Sequence, residues 1–566
     1  MSRTQSILTK RMMKQMSISR LSELEGWKNE PYLMDKNVVT KFWDMVRDAN
    51  DIVIVGDYDC DGVTASAIMI KAIREVNPKA KLKSRIPKRM TEGYGFNQTI
   101  ADEIKAEKPE GTLVITVDNG IAAAKSLEEL KSCGYPIIVT DHHELGDNKI
   151  PDVDLVINPK VKIDGMDYFA GQDYWCGAAV AYKLSEQVVS TRLKEELATY
   201  AGIATVADCM PLTKGNWALV RRTLEKIRKG RVPESITNLI TELNQSAENC
   251  SEDTLGFYLC PAINAAGRLI DDGASKPLRY LISPNSERCK ELVELNLKRR
   301  AIRDEMIDET IEMIESQGKS EDCPIWIVNP HIPEGIVGIV AGAVVERYGV
   351  PAIVLTDKSH KEIMDKYDVP DIELEDSDDE NRVLKGSGRS VEGINLFDYL
   401  RSCGDIFVAM GGHAGACGLS ITEKNYKIGQ THKLPRPEIM EEDGGSIVMN
   451  ILESEIPDVA WVLDTFRPCG EGNPAPEFSI KVNLSRENYK MLGKPPVHLS
   501  IQSPKYKIMH FYHAIEDENG NFHSPTNFIL EGEVKNEIFR GNKTPTLVGK
   551  NLIEEGPQEM DLEIDV

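Results

Sequence analysis

Short apolar runs rich in β-branched residues alternate with helical patterns through the first third of the chain. Helical patterns such as residues 65–76 and 122–133 separate the runs. The runs occupy residues 52–55, 113–117, 137–139 and 155–157. Strands that are buried on both faces read as continuous apolar runs, and they belong to parallel sheets covered by helices. The alternation therefore predicts an α/β fold built on a parallel sheet with helices on both faces.

The pattern changes several times after this region. Residues 175–245 read as largely helical, and residues 285–317 form a long charged helical pattern with little Gly or Pro, which suits a connector between domains. A second α/β region starts at Ile325 and ends near Ile421. Within it, residues 357–380 are dominated by Asp and Glu, which is typical of a solvated insertion. Short strands separated by turns follow residue 476 and predict a small β-barrel or sandwich.

Composition and charge narrow the class of protein. A chain of 566 residues suggests several domains. Its formal charge of −23 weighs against broad binding of polyanions, so a nucleic-acid partner would require a locally positive channel or metal ions. No apolar run is long enough for a membrane span, and residues 1–16 lack the apolar core of a signal peptide. The eleven cysteines include no CxxC pair, which argues against zinc and disulfides and indicates a reducing cytoplasm.

Motifs rich in acids and histidines follow three of the predicted strands. They are GDYDCDG at 56–62, DNG at 118–120 and DHH at 141–143, and a further carboxylate, Asp208, follows an apolar helical run. Sites in open α/β sheets form outside the carboxyl ends of the strands. Adjacent strands lie only ~5 Å apart, so we expect these motifs to converge.

Converging carboxylates and imidazoles suit Mg²⁺ or Mn²⁺. Four or five carboxylates exceed the needs of one ion, whereas two ions roughly 3.5–4 Å apart would use them all and would suit phosphoester hydrolysis. Taken singly, GDYDCDG could be a calcium loop, and DHH could be a helix cap or a structural histidine pair. The preceding strand and the missing twelfth-position glutamate argue against calcium, and the recurrence at matching strand ends favours a metal site.

The four motifs together resemble the signature of the DHH phosphoesterase superfamily. The segments GSGRS at 386–390 and GGHAGACG at 411–418 are similar to motifs of the DHH-associated domain. Within the superfamily, the chain resembles the RecJ-type single-stranded-DNA exonucleases from about residue 50 to about residue 550. Four further stretches carry this likeness: RIPKRMTEGYG at 85–95, PAINAAGRL at 261–269, EGIVGIVAGAVVERYGVPAIVL at 334–355 and PCGEGNPAPEF at 468–478.

The resemblance implies a multidomain α/β architecture with an oligonucleotide-binding (OB-like) barrel near the C-terminus. We expect an N-terminal segment (1–49), a parallel-sheet DHH catalytic domain (50–282), a connecting helix (283–320), a DHH-associated domain (321–425) that carries the acidic insertion 357–380, a linker (426–475), and an OB-like nucleic-acid-binding domain with an acidic tail (476–566).

The resemblance also implies roles for individual residues. Asp59 and Asp61 would each serve one of two Mn²⁺ or Mg²⁺ ions, Asp118 would bridge the ions, and His142 and Asp208 would complete the set. Asp57 would be a ligand or would support one. His143 would contact the scissile phosphate or orient a ligand, and Asp141 would hold an imidazole tautomer.

The second domain would bind the substrate. Arg389 and Ser390 would hydrogen-bond a phosphate. Gly411 and Gly412 would let backbone N–H groups approach an anion as in a nest, and His413 would add a donor. Arg268 is either a further phosphate contact or a surface arginine paired with Asp271 or Asp272.

The expected function is a metal-dependent single-stranded-DNA exonuclease of DNA repair or recombination. It would act 5′ to 3′ and release 5′-mononucleotides by means of a hydroxide activated by two metal ions. The alternative is a DHH phosphodiesterase for short oligoribonucleotides or cyclic dinucleotides, which would not need a remote binding module. A non-catalytic scaffold would be expected to lack ligands, yet every motif acid and both histidines are present. Single-stranded DNA is the expected partner, a single-strand-binding protein or a helicase is a candidate protein partner, and the expected location is the cytoplasm.

Overall fold

The computed structural model divides into two compact units. One comprises Met1–Pro31, Pro211–Arg221 and Ile439–Val566, and the other comprises Tyr32–Met210 and Arg222–Glu438. The structure describes residues 2–15, 18, 21–28, 34–106, 109–146, 148–163, 165–357, 360–370, 382–437, 448–484, 489–493, 498–511, 513, 515–516, 522–523, 525–539 and 542–554. The expected acidic insertion is therefore described only in part, and residues 371–381 lie outside these ranges.

Nineteen α-helices occur in the described residues, and fourteen of them begin before residue 320. In chain order they are α1 (Arg3–Gln15), α2 (Leu21–Lys28), α3 (Lys36–Asp48), α4 (Cys60–Val76), α5 (Gln98–Lys105), α6 (Ala124–Ser132), α7 (Gly177–Ser185), α8 (Thr191–Ala207), α9 (Lys214–Arg228), α10 (Glu234–Glu242), α11 (Glu252–Thr254), α12 (Cys260–Leu269), α13 (Ser275–Ile282), α14 (Ser286–Ser316), α15 (Val337–Tyr348), α16 (Lys361–Lys366), α17 (Leu396–Ser402), α18 (Glu423–Gly429) and α19 (Ile456–Phe466).

The strands form two sheets of five strands, one of seven and one of two. In chain order they are β1 (Asp51–Val55), β2 (Lys81–Arg85), β3 (Thr112–Val117), β4 (Ile137–Thr140), β5 (Leu155–Ile157), β6 (Ile325–Val328), β7 (Ala352–Thr356), β8 (Val383–Arg389), β9 (Phe407–His413), β10 (Ala416–Thr422), β11 (Met449–Asn450), β12 (Glu477–Asn483), β13 (Tyr489–Leu492), β14 (His498–Gln502), β15 (Lys507–His510), β16 (Ile515–Glu516), β17 (Phe522–His523), β18 (Asn527–Phe539) and β19 (Asn542–Glu554).

The first sheet has the order β2-β1-β3-β4-β5 with every pair parallel. The α/β prediction is confirmed, because the four apolar runs coincide with β1, β3, β4 and β5. Strand β2 was missed in the sequence, since KLKSR is largely exposed at the edge of the sheet and carries no apolar run.

The second sheet, of order β6-β7-β8-β10-β9, follows the 31-residue helix α14. Strands β6 and β7 are parallel, with α15 between them in sequence, and the remaining pairs are antiparallel. The expected connector is therefore one continuous helix, and the second α/β region forms a mixed sheet with β9 at its edge.

The unit that contains residues 439–566 has a seven-stranded sheet of order β11-β12-β18-β19-β15-β14-β13. Its two ends, β11 and β13, do not pair with each other, so the expected OB-like barrel is not confirmed in the described residues. Residues 211–221 pack with this unit. Trp217 is fully buried there, and its indole N–H donates to the carbonyl of Phe466 at 2.9 Å. Among the described helices, none has the length and apolar character that crossing a bilayer requires.

Candidate active site

Three neighbouring strands of the parallel sheet end side by side, and an acidic motif follows each. Strands β1 and β4 both pair with β3. The sheet hydrogen bonding continues one residue beyond the strands: the backbone N–H of Asp118 donates to Thr140 O at 2.9 Å, and that of Asp141 donates to Ile157 O at 3.0 Å. This continued register holds the motifs at one edge of the sheet, where their convergence was expected.

Two of the three aspartates of GDYDCDG are held by helix N-termini. Asp59 caps α4 and accepts a hydrogen bond from the N–H of Gly62 at 3.0 Å. Asp61 accepts from the N–H groups of Gly177 and Ala178, at 2.6 and 2.8 Å, and these begin α7. Helix N-termini favour negative charge, which offsets part of the repulsion between the carboxylates. Gly62 is required because a Cβ there would lie 2.6 Å from the Asp57 backbone.

Asp118 sits in a strained position under close packing. Its φ of 62° lies in the left-handed region, which is uncommon for a residue with a side chain. A Cβ at Gly177 would lie only 2.4 Å from Asp118 Oδ1, so only glycine fits at the start of α7. Strain of this kind concentrates at functional sites, where the surroundings enforce it.

His142 lies at the centre of the acidic group. Its Nε2 is 3.1 Å from Asp118 Oδ1 and 3.6 Å from a carboxylate oxygen of both Asp61 and Asp208. Ligand atoms within 4.8 Å of one another form three sets that could hold a metal ion. The sets are Asp118–His142–His143, Asp61–His142–Asp208 and Asp57–Asp59–Asp118. The structure therefore brings together all the sequence-predicted metal ligands.

Several buried polar atoms of the acidic group lack a hydrogen-bond partner. Within the described part of the chain, Asp57 Oδ1, Asp118 Oδ1 and both ring nitrogens of His142 are buried and make no hydrogen bond. Buried polar atoms are rarely left without a partner, because their desolvation costs about 1–3 kcal/mol each. A divalent cation would satisfy the oxygens and Nε2, and carboxylate and imidazole donors suit Mn²⁺ or Mg²⁺.

The electrostatics of the acidic group agree with this fit. Burial, followed by the charge of Asp59, raises the pKa of Asp57 well above its ordinary value, and burial with Asp61 does the same for Asp118. Burial and Asp61 raise the pKa of Asp208 to about 8. Burial lowers the pKa of His142 to about 4, so its imidazole is neutral and able to bind a metal. Added positive charge would let the carboxylates ionise.

His143 has a different environment from His142. Its Nδ1 is 2.7 Å from Asp141 Oδ1, and Asp141 also accepts backbone N–H groups from Ile121, His142 and His143. Burial lowers the pKa of His143, but the hydrogen bond and charge of Asp141 outweigh burial and raise this pKa to about 9. Without a bound metal ion His143 is therefore a cation at neutral pH, which suits contact with a phosphate rather than direct ligation of a metal. The sequence-predicted duty of Asp141 corresponds to this contact with His143.

Two of the predicted phosphate-binding residues are half-buried arginines. Arg268, on α12, donates from Nη1 to Gly335 O at 3.1 Å, and burial lowers its pKa to about 9. Arg389, at the end of β8, donates to Ser387 Oγ at 2.5 Å and to Gly388 O at 2.8 Å. Arg89 is close enough that its charge contributes to lowering the pKa of both. These three cations form what we call the arginine group.

The other predicted substrate residues lie around the turn between β9 and β10. Ser390 donates its hydroxyl to Ile394 O at 2.9 Å. Gly411, Gly412 and His413 are exposed in strand β9 and pair with β10. This differs from the nest that the glycines suggested, because an extended strand directs successive N–H groups to opposite sides.

Sequence reasoning quoted the stretch 85–95 for its resemblance but missed both Tyr94 and Arg89 as site residues. The Tyr94 hydroxyl lies 2.9 Å from His143 Nε2, and the Arg89 guanidinium lies 4.5 Å from the centre of the Tyr58 ring. Both follow β2, whose carboxyl end is at the same sheet edge as those of β1 and β3. Recognition of β2 as a strand would have placed this loop at the site.

Comparisons with known proteins agree with this geometry. Residues 51–210 match the DHH family, N-terminal domain, and residues 325–430 match the DHHA1 domain. The single-stranded-DNA-specific exonuclease RecJ of Escherichia coli is 30% identical over 420 residues, which are 70% of this chain and 67% of that protein. The chain belongs to the RecJ family. The RecJ of Bacillus subtilis is also 30% identical, over 82% of this chain and 56% of that protein, so this chain spans little more than half of that relative.

Solved RecJ structures show the same fold. RecJ from Thermus thermophilus in complex with Mn²⁺ has a TM-score of 0.72 at 22% identity, covering 97% of this chain and 76% of that one. An exonuclease RecJ bound to manganese has a TM-score of 0.54 at 26% identity, covering 73% of this chain and 96% of that one. Both of these structures contain Mn²⁺, and the Thermus thermophilus RecJ has also been solved in complex with Mg²⁺. The acidic and histidine sets of this chain provide suitable ligands for either ion.

Proposed function

We propose that this chain is a metal-dependent exonuclease that degrades single-stranded DNA from the 5′ end and releases 5′-mononucleotides. The observation that carries the proposal is the group of buried, unsatisfied carboxylate and imidazole atoms around His142. Membership of the RecJ family supports the substrate class, because its curated relatives are named single-stranded-DNA-specific exonucleases.

Each side chain has a task in this proposal. Asp57, Asp59, Asp61, Asp118, His142 and Asp208 would hold two Mn²⁺ or Mg²⁺ ions, which supply activation of water and charge neutralisation at phosphorus. His143, a cation held by Asp141, would donate to the scissile phosphate. The arginine group would hold a phosphate of the same strand, since guanidinium groups match phosphate oxygens in pairs. Ser390 and residues 411–413 would border the same strand.

The remaining expectations extend this proposal beyond the catalytic residues. The seven-stranded sheet would serve as the OB-like nucleic-acid-binding region of residues 476–566. The other domain boundaries would follow the sequence-based division, except that residues 211–221 pack with the unit that carries this sheet. A single-strand-binding protein or a helicase would deliver the strand. The alternative, a phosphodiesterase for short oligoribonucleotides or cyclic dinucleotides, would use the same acidic group without the seven-stranded sheet.

A degradation assay on long single-stranded DNA tests the proposal. Strands labelled at the 5′ or the 3′ end are incubated with Mn²⁺ or with EDTA. We expect labelled mononucleotide at once from the 5′-labelled strand only, and only with Mn²⁺. Asp118→Ala should lose roughly a thousandfold or more of this activity, whereas Asp405→Ala, at an exposed position, should retain it. Intact long DNA together with cleavage of dinucleotides would replace the proposal with the alternative.

A further inference from the structure

The loop between β2 and α5, residues 86–97, places two side chains at the site. Arg89 lies over the ring of Tyr58, which is in the GDYDCDG motif, and Tyr94 reaches His143. The loop contains Gly93 and Gly95, both at positive φ, so its backbone is not held by regular structure. Contacts from elsewhere in the chain must therefore fix Arg89 and Tyr94 in place.

Asp271 provides the first of these contacts. This residue follows α12, three positions after Arg268. Its Oδ1 accepts the N–H groups of Met90 and Thr91 at 2.8 and 3.1 Å, and its Oδ2 accepts the Thr91 hydroxyl at 2.7 Å. Its backbone carbonyl accepts the N–H of Arg89 at 3.3 Å. Asp271 therefore accepts four hydrogen bonds from the loop. These bonds, and not the pairing with Arg268 that the sequence allowed, are what ties Asp271 to the loop.

Lys385 provides the second contact, from the second sheet. It lies on β8, four positions before Arg389. Its Nζ donates to the carbonyl of Met90 at 2.9 Å and to both carboxylate oxygens of Glu334 at 3.0 Å. Met90 is thus held through its N–H by Asp271 and through its carbonyl by Lys385. Both anchors meet at the residue next to Arg89.

A third set of contacts lies at the start of the loop. Glu92 accepts the N–H of Lys88 at 2.9 Å and Arg85 Nη2 at 2.6 Å. These bonds close the loop on itself and tie it to β2, but they do not relate it to α12 or β8. Among the contacts described for this loop, those of Asp271 and Lys385 relate Arg89 to α12 and β8, which carry the other two arginines.

We propose that Asp271 and Lys385 are positioning residues that align the arginine group by clamping Met90 between α12 and β8. The proposal rests on the exonuclease activity proposed above and assigns it a source of precision. Each anchor shares a short stretch of chain with one arginine, Asp271 with Arg268 and Lys385 with Arg389. Clamping the residue beside Arg89 therefore sets all three guanidinium groups against one phosphate. A misplacement of about 1 Å in such a group can cost about a hundredfold in rate.

Variants of the two anchors test the clamp by activity. We expect Asp271→Ala and Lys385→Met each to lower kcat/KM on single-stranded DNA by about tenfold or more. Asp272→Ala, at the exposed neighbouring position, is the matched control and should behave as the unaltered chain. Asp271→Asn keeps an acceptor for both N–H groups, and Lys385→Arg keeps a donor for Met90 O. Each conservative variant should recover most of the lost rate.

A second readout separates positioning from general destabilisation and from the proposed activity itself. Trypsin cleaves after Lys88 and Arg89, and mass spectrometry identifies these fragments. We expect cleavage there to be about tenfold faster in Asp271→Ala and Lys385→Met, because the loop opens locally. The increase in Tm caused by Mn²⁺ should stay as in the unaltered chain. Equal trypsin cleavage, or unchanged kcat/KM beside an active parent, would overturn the clamp. A parent without DNA cleavage would instead overturn the proposed function.

Discussion

The two sides of the candidate site are incomplete in opposite ways. The acidic group around His142 holds several carboxylates whose pKa values burial raises, so it lacks positive charge. The arginine group holds three cations, and burial lowers the pKa of Arg268 and Arg389, so it lacks negative charge. The two groups are near enough that Arg89 contributes to lowering the pKa of Asp57 and Asp59. Metal ions would complete the first group and a phosphate the second.

The two groups also differ in how the fold builds them. The acidic group comes mainly from adjacent strand ends and the helices that follow, so a few local rules place it. The arginine group comes from the loop after β2, from α12 and from β8, which are far apart in sequence. We therefore expect the acidic group to be sensitive to single atoms added in its packing, and the arginine group to be sensitive to charge and to the contacts between elements.

Gly177→Ala should have the largest effect on the acidic group of any substitution that leaves the metal ligands in place. The added Cβ would lie 2.4 Å from Asp118 Oδ1 and would push this carboxylate away from His142. We expect activity to fall about a hundredfold, as for a misplaced catalytic group, and the increase in Tm caused by Mn²⁺ to shrink. Steady-state kinetics on labelled single-stranded DNA and thermal unfolding measure the two effects.

Gly342→Ala is the matched control for that substitution. Gly342 lies in helix α15, and a Cβ there would meet nothing within 4 Å. Alanine is a better helix former, so the change should leave activity intact and stabilise the helix by up to about 1 kcal/mol. If both alanine variants behaved alike, close packing would not be what positions Asp118.

Arg389→Gln should weaken the arginine group without disturbing the metal site. Loss of one phosphate contact should raise KM for long single-stranded DNA by about tenfold. It should also reduce the slope of log binding constant against log salt concentration by about one. The Mn²⁺ dependence should not change. Arg347→Gln, at an exposed position on α15, controls for loss of charge alone. A fall in kcat with KM unchanged would place Arg389 at the reacting phosphate instead of at a binding contact.

The sequence predicted the acidic group well because its determinants are local. Apolar runs marked β1, β3 and β4, and the rule that sites lie at carboxyl ends of parallel strands placed Asp118 and His142 together. These local rules could not predict that the two histidines have different environments. They arise from burial of His142 and from the contact of His143 with Asp141, which depend on tertiary packing.

Predictions failed where polar strands or long-range pairing decide the structure. Strand β2 has no apolar run because it lies at a sheet edge, and missing it hid the roles of Arg89 and Tyr94. The glycine pair Gly411–Gly412 predicts a nest, yet pairing with β10 makes both residues part of a strand. Whether β11 and β13 meet to close a barrel depends on strand order, which alternation of side chains does not encode.

The smallest effect that we predict concerns stability and separates the two groups by pH. Without metal, the folded protein binds more protons at Asp57, Asp118 and Asp208 than the unfolded chain does. The free energy of unfolding in EDTA should therefore fall as pH rises from about 4 to about 8, the pKa of Asp208. His143, whose pKa is raised to about 9, adds to this fall above about pH 6.5, and His142, whose pKa is lowered to about 4, opposes it below about pH 6.5 as one group against three. The arginines stay charged over this range, since even Arg268 has a pKa of about 9. Mn²⁺ requires ionised carboxylates, so its stabilising effect should grow over the same range.

Thermal unfolding at pH 5 and pH 8, in EDTA and in Mn²⁺, measures this difference. In EDTA we expect Tm to be lower by a few degrees at pH 8, and in Mn²⁺ the decrease should vanish. Asp118→Asn removes one buried ionisable group whose pKa burial raises, so it should raise Tm at pH 8 in EDTA while it abolishes most of the gain from Mn²⁺. An increase of Tm with pH in EDTA would mean that the arginine group already neutralises the carboxylates. The two sides would then complete each other, and neither a cation nor a phosphate would be needed to explain their charges.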